Sequence, residues 1–348
     1  MKAAAFYEQG GPEVLQITEV PIPEIGPNDV LVRVKAVALN HLDLWVRRGM
    51  PGLDLTMPHV GGSDIAGVID RLGKNVRDVP IGQRIVVNPS LCCGQCEFCV
   101  RGEESLCLTF GIVGEHTWGG CAEYVAVPAD NIMPIPDNLT FEEAASVPLV
   151  FQTAWRALIA RGGLRAGEDI LIQGASGGAA SAAIQIAKLA GARVFAVTSG
   201  PAKVAKAKEL GADVVIDRST TDFFREVWRM TNKRGVDLVL ENVGQVTWKQ
   251  SLRILTKGGR LVTYGATTGP SGDTDIRQVF WKQIYIIGST MSSRAEFTEV
   301  MNLIWQGKLR PVVDRVVSLE EIREAHQALE AGKQFGKIVL SVGDSNNS

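Results

Sequence analysis

The chain of 348 residues lacks an excess of charge of either sign: 36 Lys and Arg face 38 Asp and Glu, and the formal net charge is -2. This balance argues against binding to nucleic acid or a membrane surface, because phosphate contacts need clustered Lys and Arg. Hydrophobic residues make up 45% and charged residues only 21% of the chain, which excludes wholesale disorder. At this length we expect two domains rather than one.

Long apolar runs are also missing. No run reaches the roughly 18–20 residues that a membrane-spanning helix needs. The first residues, MKAAAF, lead directly into a strand-like pattern without the apolar segment and cleavage site of a secretory signal. We therefore expect a soluble, cytoplasmic protein, with disorder confined to the polar tail at residues 343–348.

Five of the six cysteines lie between positions 92 and 107, and four of them have the spacing Cys93-x2-Cys96-x2-Cys99-x7-Cys107. In a cytoplasmic chain, such crowding favours a metal over disulfides. Four sulfurs around Zn²⁺ leave no position open for a substrate. The pattern therefore predicts one structural zinc, and the alternative is a reduced loop without metal. Cys92 fits the spacing less well because it adjoins Cys93.

From about residue 168, short apolar strands alternate with helices. The predicted strands are 169–173, 193–197, 213–216, 236–240, 259–264 and 284–287. Helices are predicted at 179–189 and 201–210, and a further one starts at Asp222 as its N-cap. This alternation predicts an α/β fold with a parallel, doubly wound sheet.

The turn after the first of these strands is rich in glycine and reads Gly174-Ala175-Ser176-Gly177-Gly178. A strand, a glycine-rich turn and a helix start place free N–H groups beside a positive helix end, which attracts a pyrophosphate. The dinucleotide fingerprint G-x-G-x-x-G is only partly present, because Gly177 alone stands in register. A generic tight turn is the alternative. The strands that follow favour coenzyme contacts from Gly174, Ser176, Gly177 and Gly178.

The end of the second strand bears on the choice between NAD and NADP. NAD enzymes usually place an acid about 20 residues beyond the turn, where it binds the ribose hydroxyls. This chain has Thr198, Ser199 and Lys203 there and no acid. Hydroxyls and a lysine accept a phosphate that a carboxylate would repel, and Arg218 can add a second cation. We predict NADP(H) rather than NAD(H), although Lys203 alone fits a solvated helix face equally well.

The combination resembles the medium-chain dehydrogenase/reductase superfamily, which contains zinc alcohol dehydrogenases and quinone oxidoreductases. The resemblance spans almost the whole chain and rests on GGPEVL (10–15), ALNHLDLWVRRG (38–49), the cysteine lobe, GCAEYV (120–125) and GKIVL (336–340). It implies a mostly-β, GroES-like catalytic domain at 1–150 with a zinc lobe at 91–108. It further implies a Rossmann coenzyme domain at 151–288, a return to the catalytic domain at 289–348, and a substrate cleft between the domains.

The sequence departs from the alcohol dehydrogenases where they bind a catalytic zinc. Their three ligand positions fall here at Asn40, at Ser63 in the sequence Gly-Ser-Asp, and near Leu149. These residues do not bind zinc, which prefers thiolate, imidazole or carboxylate. The resemblance therefore implies a structural metal without a catalytic one. Asn40 and Asp43 match the quinone oxidoreductase branch, whose members work without catalytic zinc.

A catalytic metal site rebuilt from His41, His59 or Asp64 is the alternative. On a strand or turn, the His41 side chain would face away from the position of Asn40. His59 is more typical of a hydrogen-bonded core histidine. We therefore expect no second metal.

Without a metal, reactions that spread negative charge are easier than alcohol–ketone interconversion, in which zinc stabilises charge on one oxygen. Hydride addition to a quinone or an α,β-unsaturated carbonyl gives a delocalised anion, for which hydrogen-bond donors suffice. Asn40 and Ser63 are the candidate donors. Asp43 either orients Asn40 or has a structural role.

The resemblance and the ends of the later strands supply the remaining coenzyme residues. Thr153 matches a family position at the nicotinamide ring, and Lys337 matches one near the pyrophosphate. Asn242, Gly265 and Ser289 follow the fourth, fifth and sixth strands, whose ends face the ligand crevice of a doubly wound sheet.

The apolar sixth strand would lie at the sheet edge and invites pairing with a second copy, so we expect a homodimer or homotetramer. The leading hypothesis is an NADP(H)-dependent reductase of quinones or α,β-unsaturated carbonyls with one structural zinc. The alternatives are a zinc alcohol dehydrogenase with an atypical metal site and a non-catalytic NADPH-binding protein.

Overall fold

The computed structural model describes residues 1–343, so all but the first residue of the tail expected to be disordered lies outside the described residues. The chain forms two compact units. The first comprises residues 1–149, 293–305 and 310 onwards, and the second comprises residues 150–292 and 306–309. The first unit is thus built from both ends of the chain.

The first unit is mostly β-structure up to residue 149. Its elements are β1 (Lys2–Phe6), β2 (Gln16–Glu19), β3 (Asp29–Ala38), α1 (His41–Arg48), β4 (His59–Val60), β5 (Asp64–Leu72), β6 (Arg84–Val87), β7 (Ser90–Leu91), α2 (Glu97–Val100), β8 (Gly111–Ile112), β9 (Tyr124–Pro128), β10 (Ile132–Pro134) and α3 (Phe141–Ala145). The long strand β3 pairs antiparallel with both β5 and β9. Its apolar residues are buried, and Arg33 is its one exposed position. The strand is therefore central to the core.

The second unit alternates strands and helices. Its elements are α4 (Pro148–Trp155), a π-helical turn (Arg156–Arg161), β11 (Asp169–Ile172), α5 (Gly178–Leu189), β12 (Arg193–Thr198), α6 (Pro201–Glu209), β13 (Val214–Asp217), α7 (Phe223–Met230), β14 (Val236–Glu241), α8 (Trp248–Ile254), β15 (Leu255–Thr263), α9 (Ile276–Lys282) and β16 (Tyr285–Gly288). Helix α4 starts two residues before the division between the units. The predicted N-cap of α7 is confirmed, since Asp222 accepts the N–H of Arg225 at 3.0 Å.

The six strands of the second unit form one sheet in the order β13-β12-β11-β14-β15-β16. All neighbouring pairs are parallel. The prediction of a parallel, doubly wound sheet is therefore confirmed. The strand order reverses direction at β11, and in such sheets ligands bind beyond the carboxyl ends of the strands at this point.

The chain then completes the first unit with α10 (Arg294–Trp305), β17 (Val313–Ser318), α11 (Ile322–Glu330) and β18 (Lys337–Ser341). Strand β18 pairs parallel with β17 and antiparallel with β3. In this register Val339 lies opposite Ala38. The pairing brings Lys337, at the start of β18, to the end of β3, where Asn40 follows. Among residues 1–343, no helix has the length and apolar character needed to cross a membrane.

Candidate active site

Asn40 and Asp43 form the first turn of α1. The Asp43 carboxylate accepts the backbone N–H of Asn40 at 2.7 Å and that of Gly62 at 3.0 Å. Asp43 therefore joins the start of α1 to the loop that carries Ser63. Its contact is with the backbone N–H of Asn40 rather than with the amide.

The loop before β5 is held in place by glycines that allow close backbone contact. The N–H groups of Gly119, Gly120 and Cys121 donate to the carbonyls of residues 60, 62 and 61 at 2.7, 2.8 and 3.0 Å. A Cβ on Gly119 would lie only 2.3 Å from the carbonyl oxygen of Gly62. The loop bearing Ser63 is therefore fixed by backbone contacts that no larger residue permits. Ser63 itself is fully buried, and its Oγ has no hydrogen-bond partner within the described chain.

Asp64 is the centre of a buried polar network. Its carboxylate accepts the Asn40 amide N–H at 2.9 Å, the Lys337 ammonium at 2.8 Å and the backbone N–H of Leu149 at 2.7 Å. Asp64, Lys337 and Asn40 are 0%, 3% and 6% exposed. The network thus connects the first and third of the positions at which the resemblance to alcohol dehydrogenases implies zinc ligands.

Both hydrogens of the Asn40 amide are used within the protein. Besides Asp64, the amide nitrogen contacts the carbonyl of Ala38 at 3.3 Å, and the amide oxygen accepts a hydrogen bond from the Lys337 ammonium. The orientation of the amide is therefore set by Asp64 and Lys337. The predicted contact of Lys337 with a pyrophosphate stays a prediction, and in this structure its ammonium is paired with Asp64.

Burial dominates the electrostatics around this network. It raises the pKa of Asp43 to about 6, against the opposing effects of the Asn40 backbone hydrogen bond and the Lys337 charge. Burial also lowers the pKa of His41, and the nearby charges of Lys337 and Arg48 lower it further. His41 is therefore neutral near pH 7, and Asp64 and Lys337 form the main charge pair of the site.

The residues considered for a rebuilt catalytic metal site do not come together as one. His59 lies against the ring of Phe6, and its Nε2 contacts the carbonyl of Gly114 at 3.1 Å. Burial lowers the pKa of His59, as expected for a neutral core histidine. Among the described residues, the one group of three or more His, Cys, Asp or Glu side chains with suitable geometry is the cysteine lobe.

The four cysteines of the lobe have the geometry of a tetrahedral metal site. The Sγ atoms of Cys93, Cys96, Cys99 and Cys107 all lie within 4.8 Å of one another. Three measured separations are 3.5, 3.6 and 4.0 Å. A tetrahedron with Zn–S bonds of about 2.3 Å has sulfur separations of about 3.8 Å. The donor set therefore fits Zn²⁺, and with four sulfurs it fits a structural ion.

The predicted coenzyme turn lies between β11 and α5. Gly174 follows β11 with φ of +60°, a conformation that favours glycine, and Gly177 stands at the N-cap of α5. Because Gly177 has no side chain, it leaves the first N–H groups of this 12-residue helix open to a ligand. Ser176 and Gly178 are half-buried in the same turn. This arrangement fits a pyrophosphate.

The ends of the strands in the second unit carry buried polar atoms without protein partners. Thr198 is the last residue of β12, and Asn242 and Ser289 directly follow β14 and β16. The Thr198 Oγ1, Asn242 Oδ1 and Ser289 Oγ atoms each lack a hydrogen-bond partner in the part of the chain that the structure describes. Thr153 is also buried, with its hydroxyl 3.9 Å from the Met291 sulfur. Unpaired buried polar atoms at these strand ends fit the polar groups of a dinucleotide.

The polar residues expected to choose between NAD and NADP surround the end of β12. Ser199 and Lys203 are half-buried, whereas Arg218 is exposed and its backbone N–H donates to the carbonyl of Thr198. The structure also places an acidic residue, Asp217, at this strand end, which the sequence did not suggest. Asp217 lies opposite Thr198 in the register of β12 and β13. Hydrogen bonds from Ser219 lower the pKa of Asp217, so it is ionised.

Glu241 also organises the coenzyme unit without having been suggested by the sequence. Its carboxylate is fully buried and accepts the N–H groups of Val243 and Gly244 at 2.8 and 3.1 Å. The hydroxyls of Thr247 and Ser251 donate to it as well, at 2.9 and 2.5 Å. These bonds fix the turn that carries Asn242, which lies next to Gly265 beyond the end of the neighbouring strand β15. The sequence did offer one signal for this role, since Glu241 is a single acidic residue at the end of an otherwise mostly apolar strand.

Two protein-family models match this chain, one in each unit for most of its length. Residues 26–137 match the family described as alcohol dehydrogenase GroES-like domain, and residues 178–306 match the zinc-binding dehydrogenase family. An alcohol dehydrogenase of Geobacillus stearothermophilus is 34% identical over 98% of this chain and 100% of its own length. An acryloyl-coenzyme A reductase of Sulfurisphaera tokodaii is 30% identical over 97% of this chain and 99% of its own length. The crystal structure of an NAD-dependent alcohol dehydrogenase superposes with a TM-score of 0.95 and is 44% identical, over 99% of this chain and 100% of that chain.

The fold and these matches define an oxidoreductase with a GroES-like unit and a Rossmann coenzyme unit. The chain belongs to the medium-chain dehydrogenase/reductase superfamily. The resemblance stated from the sequence is therefore confirmed. The family and the cysteine geometry together support a zinc ion in the lobe, and the family supports a nicotinamide coenzyme.

Proposed function

We propose that the protein reduces an α,β-unsaturated carbonyl compound or a quinone with NADPH, and that no metal takes part in the chemistry. The observation that carries this proposal is the set of side chains at the three zinc-ligand positions of related alcohol dehydrogenases. Asn40, Ser63 and Leu149 replace the ligands, and the neighbouring Asp64 carboxylate is engaged by three donors. A set of this kind offers hydrogen bonds and charge in place of a Lewis acid.

The proposed substrates follow from where the negative charge goes. NADPH, when bound, would supply a hydride to the β-carbon of an unsaturated carbonyl, and the π electrons would move to the carbonyl oxygen. The resulting enolate spreads its charge, so fixed donors stabilise it without a metal. Solvent then supplies the proton that completes the saturated product.

The site residues take different parts in this proposal. The unpaired Ser63 hydroxyl is a candidate donor to the substrate oxygen. Asn40 and Asp43 are positioning residues, since the Asn40 amide is engaged by Asp64 and Lys337 and Asp43 is bonded to the backbone. The similarity to an acryloyl-coenzyme A reductase supports an unsaturated acyl substrate, and the similarity to alcohol dehydrogenases supports the competing reaction.

Metal content and a substrate panel test this proposal together. We expect one zinc per chain and NADPH oxidation with 2-cyclohexenone, 1,4-benzoquinone or an enoyl thioester, with little activity on simple aldehydes. The zinc should be lost when the lobe cysteines are replaced, and it should be retained when Asn40, Ser63 or Asp64 is replaced. Two zinc ions per chain, with alcohol oxidation that depends on the second ion, would contradict the proposal and establish an atypical zinc alcohol dehydrogenase.

The preference for NADP(H) is a further part of the proposal. Thr198, Ser199, Lys203 and Arg218 can bind a 2′-phosphate, and an acid at the position of Thr198 would repel it. We expect kcat/KM to be higher with NADPH than with NADH, and Thr198→Asp to lower that ratio at least about tenfold. A wild type that prefers NADH would contradict the proposed preference for NADPH. In that case we would assign binding of the ribose hydroxyls to Asp217, which lies beside Thr198.

An exposed apolar surface at the edge of the second unit supports a homodimer. Strand β16 pairs with β15 alone, within the described chain, and Tyr285 on it is 61% exposed. Ile276, Phe280 and Trp281 on α9 are 74%, 60% and 74% exposed. We expect light scattering to show a dimer or tetramer, and Trp281→Glu to weaken it. The control is Ile81→Glu, which changes a residue of the first unit that is 69% exposed. A monomeric wild type would contradict the assignment.

The cysteines support a cytoplasmic location, because none of the six forms a disulfide. Fractionation of cells that express the full chain tests this expectation. Recovery in a secreted or membrane fraction would contradict it.

A further inference from the structure

One face of α7, in the second unit, carries an open groove that the proposed reaction does not use. The residues that line this groove come from α7 and the turn after it: Phe224, Arg225, Trp228, Arg229, Asn232 and Lys233. We call it the α7 groove. Its volume is about 440 Å³, within the range of about 300–1,000 Å³ that is usual for small-molecule sites. The α7 groove is therefore large enough for a ligand.

Two aromatic rings form the apolar part of the α7 groove. The rings of Phe224 and Trp228 are stacked, with an angle of 10° between their planes and 5.9 Å between their centres. Both side chains line the groove and are only half-buried against the core, so part of each ring is open to a ligand. The Arg253 guanidinium lies 4.8 Å from the centre of the Phe224 ring. Aromatic side chains of this kind, with cations beside them, stack with the planar rings of nucleobases.

The polar part of the α7 groove is basic, although the whole chain has a net charge of -2. Arg225, Arg229 and Lys233 are exposed along it. Arg229 pairs with Glu226. Among the described residues, no carboxylate lies within ion-pair distance of Arg225 or Lys233. Two cations without a counter-ion beside a stacking surface attract a phosphate group.

The turn after α7 holds two residues of the groove in the left-handed backbone region. Asn232 and Lys233 have φ of +49° and +65°. Asparagine tolerates this region, whereas lysine rarely adopts it. The turn is fixed by Thr231, whose hydroxyl donates to the Val227 carbonyl at 2.8 Å and accepts the Gly235 N–H at 3.1 Å. Backbone strain that persists in a fixed turn is typical of positions whose side chains serve a ligand.

Within the second unit, the α7 groove lies away from the coenzyme turn. The coenzyme turn follows the carboxyl end of β11, and β11 and β14 are parallel. Asn232 and Lys233 shortly precede the amino end of β14 at Val236. Because the two strands run in the same direction, the turn after α7 and the coenzyme turn lie at opposite edges of the sheet. A ligand in the α7 groove would therefore leave the coenzyme turn free.

We propose that the α7 groove is a second nucleotide site, which binds a nucleoside phosphate independently of the coenzyme. The base stacks on Trp228 and Phe224, and Arg225 and Lys233 bind the phosphates. The Asn232 amide offers one donor and one acceptor, which match the edge of adenine. ADP is therefore the probe. The proposal does not depend on the proposed function, because no residue of the α7 groove belongs to the candidate active site.

Titration calorimetry on the zinc-loaded, full-length protein tests this site. NADPH is present at about ten times its own Kd, so that the coenzyme site stays occupied. We expect ADP to bind at one site per chain with a Kd below about 1 mM. Adenosine and inorganic pyrophosphate each carry only part of the ligand and should bind at least about tenfold more weakly. A hexaglutamate peptide measures the effect of charge without a base.

Lys233→Gly is the sharpest variant, because it removes the ammonium and relieves the backbone of the turn at the same time. We expect it to raise the Kd for ADP at least about tenfold, while the melting temperature stays within about 2 °C or rises. Asp78→Gly is the matched control, since Asp78 also has a positive φ, of +62°, but lies in the first unit. It should leave the Kd for ADP unchanged.

Arg225→Gln is the second variant, and it keeps the test decisive if Lys233→Gly does not fold, because Arg225 is exposed on the surface of α7. It should raise the Kd for ADP by a similar factor. Lys257→Gln, at an exposed position of β15 outside the groove, should not. Circular dichroism shows whether each variant is folded.

Three results would overturn the proposal. The first is a wild type that does not bind ADP with a Kd below about 1 mM. The second is ADP binding that both variants leave unchanged, which would assign the ligand to another part of the protein. The third is binding of adenosine, pyrophosphate or the hexaglutamate peptide as tightly as ADP, because the groove would then select a base or an acidic group alone.

Discussion

Replacing Asp64 by Asn tests how strongly the stability of the protein depends on its buried charge pair. The substitution keeps the shape of the side chain and removes its charge. Asp64 is fully buried and Lys337 is 3% exposed, so the ammonium would remain without a counter-ion and almost without water. Removing one partner of a buried ion pair costs about 3–5 kcal/mol. We expect Asp64→Asn to lower the free energy of unfolding by this amount.

A double-mutant cycle separates the charge pair from other contacts of the two side chains. Lys337→Met should destabilise the protein by a similar amount, because it leaves the carboxylate unpaired. The double variant carries neither charge and should lose at least about 2 kcal/mol less than the sum of the single losses. Asp273→Asn is the control, since Asp273 pairs with Lys249 at the surface, and we expect a change below about 1 kcal/mol.

Urea denaturation followed by tryptophan fluorescence and circular dichroism measures these free energies. The zinc content is kept equal among the variants, because loss of the lobe would add its own effect. A loss below about 1 kcal/mol for Asp64→Asn would refute the reasoning. Strictly additive losses in the double variant would refute it too, because they would show that the two charges do not stabilise each other.

Three further predictions concern the lobe, the start of α1 and the glycine contacts. Cys99→Ser should abolish the bound zinc and lower the melting temperature by at least about 4 °C, whereas Cys92→Ser should retain one zinc by elemental analysis. Burial raises the pKa of Asp43 to about 6 in the folded chain, against 3.8 for the free side chain. Between these two pH values the folded state binds the proton more tightly than the unfolded state does. The free energy of unfolding of the wild type should therefore fall by up to about 3 kcal/mol, relative to that of Asp43→Asn, as the pH rises from about 4 to 6. Denaturation at several pH values checks this, and the same pH dependence of the unfolding free energy in both proteins would contradict it. Gly119→Ala should destabilise the protein by about 1–3 kcal/mol, since its Cβ would meet the Gly62 carbonyl, and Gly288→Ala, whose Cβ meets no atom within 4 Å, should not; equal effects of both in thermal denaturation would contradict it.

The sequence predicted the coenzyme unit well because its signals are local. Each strand of the parallel sheet is a short apolar run between turns, and the predicted strands differ from the observed ones mainly at their ends. The largest difference is the fifth strand, which begins at Leu255 rather than at residue 259. Pairing of Val236 with Leu255 extends the strand across a register irregularity that contains the glycine pair before Arg260.

The site network could not be derived from local patterns. Lys337 and Asp64 are 273 residues apart, and they come together because β3 pairs with β5 on one side and with β18 on the other. From the sequence, Asp64 was considered as a metal ligand and Lys337 as a coenzyme contact, and no local signal suggested that they pair. Asp217 was missed for the same reason, since it comes beside Thr198 through strand pairing.

The Asp64–Lys337 pair also bears on how such an enzyme could turn into a metal-dependent one. Restoring thiolate and imidazole ligands at residues 40, 63 and 149 would place a dication beside an ammonium that already neutralises the local carboxylate. Two thiolates among the restored ligands would balance the two charges of the zinc ion, and Asp64 would still balance Lys337. A zinc-using descendant could therefore keep the charge pair, and a variant with only one or two of the three ligands would retain the pair before it could hold the metal.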